Sequence, residues 1–162
     1  GARGGRISGP AVAIRNRKNK IILENTQYGF CLTSGTLKDY IRGAKARGII
    51  WSLTPQDIEA LWIQQGGRCK ITGLQLTCGT TNKNRTWSLD RIDNNKNYTK
   101  DNVQLVSKIY NMVKATRTDR EMQLMAYLIC QNIGHEQLRE YNRMTVEQIN
   151  TTLSECTKTK RR

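Results

Sequence analysis

Asp90, Arg91, Asp93, Asn102, Asn111 and Lys114 stand out in residues 87–114, WSLDRIDNNKNYTKDNVQLVSKIYNMVK. Asp90 and Asp93 flank Arg91; Asn102 follows a polar loop; Asn111 and Lys114 lie about one helical turn apart. Carboxylates accept protons and bind hard cations, amides donate and accept, and a guanidinium fork matches phosphate oxygens. Such a set could do chemistry at a phosphate. The elements that must position it are legible. Trp87-Ser88-Leu89 is short and β-prone, residues 94–101 are polar except for Tyr98, and Asn102 to Val106 alternates apolar and polar as a half-buried strand does. From Ser107 the period changes, with Ile109, Met112 and Val113 at i, i+3 and i+4, which predicts a helix. The order is strand, loop, strand, helix.

LDRID, the short polar loop, DNVQ and NMVK together resemble the core of HNH-type (His-Me finger, ββα-metal) endonucleases. The pattern there is D-H-I, then E/D-N-L-Q, then N-x-x-K. GGRCKITG (66–73) is similar to the segment leading into such cores, so that the resemblance spans roughly residues 36–115. It implies an α+β fold and hydrolysis of phosphodiester bonds in double-stranded DNA. It implies that Asp90 and Asn111 hold one Mg²⁺ (or Mn²⁺), and that Asn102 belongs to the catalytic set, tying loop to hairpin. Arg91 stands where the family keeps the histidine that deprotonates water, and an arginine cannot take that proton. In a branch carrying D-R-G-H the base falls two positions later, which here is Asp93. A water activated mainly by metal and phosphate is the alternative. Arg91 and Lys114 would bind phosphate. Read without the resemblance, Asp93 is a turn residue opening the Asn94-Asn95 loop, and Asp90 pairs with Arg91 or a nearby lysine.

Charge supports a polyanionic partner. Lys and Arg number 27 against 13 acidic residues in 162, a net charge of +14, and nucleic acid is the default partner of such a surplus. The expected partner is double-stranded DNA and not a membrane, because no apolar run nears the roughly 18 residues of a membrane span. No secretory leader is read at the start, and the expected location is the cytoplasm, that of a host cell if the chain is phage-encoded. Five cysteines with no paired spacing predict reduced thiols. Zinc is not expected, since Cys69-Lys70-Ile71-Thr72 lacks a second knuckle cysteine; a set of Cys69, Cys78, Cys130 and His135 is geometrically conceivable, but buried inert cysteines and a surface histidine are the expectation.

Three segments are expected: a basic arm over 1–35, a nuclease-like domain over 36–134 with its core at 87–114, and a helical extension with a basic tail over 135–162. The arm carries Arg15, Arg17, Lys18 and Lys20 as expected DNA contacts, with short strands near 21–23 and 28–33. TLKDYIRGAKAR (36–47) predicts a helix with Leu37, Tyr40, Ile41 and Ala44 on one face and the DNA candidates Lys38, Arg42 and Lys45 on the other. Lys96 in the polar loop is a further DNA candidate. Thr54-Pro55 starts another helix, which Gly66-Gly67 ends. Thr118 to Glu121 is a capping box before a helix to about Asn132, whose methionines are expected to pack, and a last helix starts near Thr145. The expected function is a metal-dependent DNA endonuclease, monomeric or homodimeric, of the phage or homing type. A catalytically silent DNA-binding protein on the same scaffold is the alternative.

Overall fold

A computed structural model describes residues 20–25, 29–79, 85–145, 148–149 and 151–152. Arg15, Arg17, Lys18, Lys83, Leu153 and the basic tail lie outside the described residues. The fold is mixed α+β. Strand β1 (Ile21–Asn25) pairs antiparallel with β2 (Phe30–Thr33), followed by helices α1 (Ser34–Ala46) and α2 (Pro55–Gln64). A second hairpin, β3 (Trp87–Arg91) and β4 (Val103–Ser107), leads into α3 (Lys108–Lys114), α4 (Asp119–Asn132) and α5 (His135–Arg143).

Helices α1 to α4 each begin where a hydroxyl meets orphan backbone N–H groups. Thr33, Thr54, Ser107 and Thr118 each accept a hydrogen bond from a first-turn amide. At α2 the box is closed by Asp57, which accepts from Thr54 N at 2.8 Å while Pro55 fills the first helical position. Gly67 ends the turn after α2 with φ +65°; a Cβ there would stand 3.1 Å from the Trp62 ring, so both the backbone sign and the indole require glycine.

The core is aromatic at its centre. Phe30, the only phenylalanine, sits 5.4 Å from Trp62 and 5.9 Å from Trp87, ring centre to ring centre, with Leu32, Ala44, Ile58, Leu89, Leu105 and Val106 fully buried around it. Burial of each large side chain is worth about 1.5–3 kcal/mol. Phe30 and Leu32 come from the stretch expected to be part of the arm, so β1–β2 is built into the core.

The hairpin departs from the expected half-burial. All five β4 residues are buried. Its outer edge is covered by the Gln65 side chain, which accepts from Leu105 N at 3.0 Å and donates to Leu105 O at 2.8 Å, as a neighbouring strand would. The other differences concern the helices. In α3 the apolar Met112 and Val113 are exposed, whereas Lys114 is fully buried. In α4 no residue is buried, so Met125 does not pack as expected, and Leu124, Leu128 and Ile129 share its exposure. Gly134, read as a helix stop, is the N-cap of the unanticipated α5.

Asp57 also bonds Lys100 at 2.8 Å, anchoring α2 to the turn before β4. Lys100, then the Thr54 amide and hydroxyl, lower the Asp57 carboxyl to about 2. A carboxyl depressed in the fold contributes stability that is present above its unfolded value near 4 and is lost as pH falls through about 2. Wild-type protein is therefore expected to exceed Asp57→Asn in urea stability at neutral pH. The gap should narrow steadily below pH ~4. A gap unchanged down to pH ~2 would remove Asp57 from this role.

Candidate functional site

The site lies where β3 runs out and α3 crosses it. Asp90 faces Gln104 across the hairpin register, and its Oδ2 accepts from Gln104 Nε2 at 2.9 Å and from Lys114 Nζ at 2.6 Å. Lys114 Nζ also donates to Arg91 O at 2.9 Å and lies 3.1 Å from Asp119 Oδ1. Gln104 Nε2 reaches Asp119 Oδ2 at 2.8 Å, and the Tyr110 hydroxyl donates to Asp119 Oδ1 at 2.8 Å. Burial and the Asp119 carboxylate both push the Tyr110 phenol up, so it stays a donor. Two carboxylates share one buried ammonium, and the cluster carries one surplus negative charge.

Asn111 reaches the same strand end from α3. Its Nδ2 donates to Ser88 Oγ at 2.8 Å and to Leu89 O at 3.2 Å. Ser88 in turn bonds the Tyr40 hydroxyl of α1, which also accepts from Leu89 N at 3.0 Å. Burial raises the Tyr40 phenol, keeping it neutral in this place. Helices α1 and α3 thus meet on Ser88 and Leu89 of β3.

The loop between the strands is tied from within. Asn102 Oδ1 accepts from Asp93 N at 2.9 Å, and its Nδ2 donates to Asp93 O and Asn97 O at 3.0 and 2.9 Å. This is the loop tie expected of it. Arg91 Nη1 donates to Asn94 O and Lys96 O, both at 2.7 Å, and the guanidinium lies 5.4 Å over the Tyr98 ring. One nitrogen of the fork is therefore committed to the loop. Asp93 Oδ1 accepts from Asn95 N at 2.9 Å, the turn geometry, and Oδ2 lies 3.6 Å from Lys96.

The structure brings Asp90, Asn111 and Lys114 together at one strand end, and Arg91, Asp93 and Asn102 in the adjoining loop. Lys114 lies beneath the surface, with its side chain fully buried and its ammonium already bonded. Lys38, Arg42 and Lys45 are exposed along α1, with Arg42 paired to Asp39 at 2.8 Å; Lys20 and Lys96 are exposed as well. Gln104, Tyr110, Asp119, Tyr40 and Ser88 were not anticipated. Gln104 stands inside the DNVQ run and Asp119 is the first acid of a capping box, but neither signal says what the side chain touches.

A hard divalent cation requires oxygen donors. Asp90 Oδ1 and Asn111 Oδ1 have no hydrogen-bond partner among the described residues, unlike the second oxygen of Asp90. Together with the surplus negative charge, they fit in kind a Mg²⁺ that keeps most of its water. Cys69, Cys78, Cys130 and His135 are not gathered into a site, and no group of three His, Cys, Asp or Glu side chains is placed to hold a metal among the described residues. No helix of the described residues is long and apolar enough to cross a membrane. Compared with models of protein families, with curated proteins and with solved structures, the chain matches none.

Removing the ammonium would leave two carboxylates facing each other out of water. Lys114→Met is expected to cost about 3–5 kcal/mol in urea unfolding, whereas Lys38→Met on exposed α1 should change stability by less than about 0.5 kcal/mol. Equal, small effects of the two would show that the buried pairing is not formed.

Proposed function

We propose that the chain is a metal-dependent endonuclease of double-stranded DNA built on an HNH-type ββα-metal core. The observation that carries this reading is the docking of Asn111 on the β3 end at Leu89, with one free oxygen each on Asp90 and Asn111. The hairpin, the tied loop and the helix follow in the order that the motif resemblance implies. The cation would be held by Asp90 and Asn111, and when bound it supplies charge stabilisation at the phosphate and the leaving oxygen. The protein's own groups do the rest. The Lys114 ammonium fixes the Asp90 carboxylate through one oxygen; Ser88 and Leu89 fix the Asn111 amide. Arg91 keeps Nε and Nη2 for a phosphate oxygen while Nη1 holds the loop. Asp93, half-exposed, is the carboxylate near enough in sequence to receive a proton from water. The exposed basic residues of α1 and Lys96 supply phosphate contacts along the duplex.

A second reading, a catalytically silent DNA-binding protein, is favoured by one observation. Asp90 is already neutralised by a buried ammonium, and Asp93 serves as a turn acceptor.

Cleavage of supercoiled plasmid and of a random duplex pool separates the two. With Mg²⁺ or Mn²⁺, and not with EDTA, wild type is expected to cut, and Asn111→Ala to cut at least about tenfold more slowly at unchanged stability. Asp93→Asn should lose about 10²-fold or more if it is the base, and less than about tenfold if metal and phosphate activate the water. No cutting under any metal, with salt-sensitive DNA binding intact, sinks the nuclease and leaves the binder. Under either reading, Lys38→Ala and Lys45→Ala should each flatten the slope of log affinity against log salt by about 0.9; unchanged slopes would take α1 off the DNA.

A further inference from the structure

Helix α4 exposes what helices ordinarily hide. Leu124, Met125, Tyr127, Leu128 and Ile129 are each more than half exposed, and Leu124, Met125, Leu128 and Ile129 share one face at i, i+1, i+4 and i+5. A patch of this kind on a folded chain marks a contact surface. Its charge says which contact. Residues 122–134, MQLMAYLICQNIG, contain no Asp, Glu, Lys, Arg or His, although a quarter of the chain is charged. The acids at the helix start are spent inside the molecule, Asp119 on Lys114 and Gln104, Glu121 on the Thr118 cap. A DNA backbone needs cations, which this face does not offer. Two copies at +14 repel each other across basic surfaces, yet here they can approach without adding like charge.

We infer that α4 is the interface of a homodimer, paired antiparallel with α4 of a second copy about a two-fold axis. Such an interface is self-complementary, each Leu128 region meeting its own copy. The consequence for cleavage rests on the proposed nuclease reading. Asp119 fastens the start of α4 to Asp90 through Lys114 and Gln104, so pairing the helices fixes the two centres relative to each other. With the axis at Leu128, nine residues at ~1.5 Å each on either side set the two helix starts about 27 Å apart. One dimer would then cut both strands of a duplex.

Sedimentation equilibrium of the full chain tests the interface directly. Wild type is expected at twice its 18.5 kDa at micromolar concentration. Leu128→Glu and Leu128→Lys should each be folded by circular dichroism and monomeric, with dissociation raised at least about tenfold. An equimolar mixture of the two should recover the dimer, because opposite charges then meet across the axis. A monomeric wild type overturns the inference. So does a Leu128→Glu variant of unchanged mass but lowered thermal midpoint, which would mean that residues 1–19 or 153–162 cover the face. The function is judged separately: a dimer that never cuts DNA defeats the nuclease and keeps the interface, whereas a monomer that cuts does the reverse.

Discussion

An ammonium withdrawn from water must find an oxygen for each of its protons, or the fold bears several kcal/mol of desolvation uncompensated. Lys114 finds three: Asp90 Oδ2, Asp119 Oδ1 and the Arg91 carbonyl. They belong to the end of β3 and the start of α4, while the lysine ends α3. One cation therefore sets where a strand and two helices meet. The chain pays for this junction in backbone conformation: Ala115, the residue after Lys114, stands at φ +51°, where a Cβ is crowded. That turn brings Asp119, five residues after α3 has ended, back to the lysine.

The same ion explains why the site is preorganised. The Asp90 carboxylate is gripped through one oxygen by Lys114 and Gln104, which leaves the other oxygen oriented and not merely present. Asn111 is gripped by its nitrogen in the same way, with its carbonyl oxygen left over. Structure takes one end of each group, and chemistry is offered the other. A carboxylate placed by bonds of 2.6 and 2.9 Å loses little freedom when a ligand arrives.

Much of the fold was legible because local rules decide it. Thr54-Pro55 with Asp57, and Thr118 with Glu121, carry their helix starts in their own side chains. Strand, loop, strand and helix over 87–114 followed from changes in apolar period. In α3 periodicity gave the helix, but it says which residues share a face and never which face is turned inward. Ile109, Met112 and Val113 formed the obvious stripe, yet Lys114 is the buried residue, since an ammonium with three oxygen partners outweighs two exposed apolar side chains. Arg91 was illegible for a related reason. Its fork suits phosphate, but its partners at 2.7 Å are the backbone carbonyls of Asn94 and Lys96, and a sequence shows every carbonyl alike. Gln65 covering the edge of β4 was hidden in the same manner. The motif resemblance drew attention to residues 87–114; the long-range partners, Asp119 and Tyr40, could come only from coordinates.

The charge of the molecule is distributed as unevenly as its core. Helix α1 turns Tyr40 to β3 and sets Lys38, Arg42 and Lys45 in water, at steps of four and three residues along the helix. Their fields therefore add, as attraction of a phosphate backbone requires. Over 122–134 no ionised side chain exists to add anything. A surface built this way is cationic along α1 and uncharged along most of α4. Both carboxylates of α4 are engaged within the chain, Asp119 by the buried Lys114 and Glu121 by the Thr118 cap, so neither is left over to draw basic surfaces to the helix start. What remains on that helix is apolar area, and apolar area is indifferent to sign.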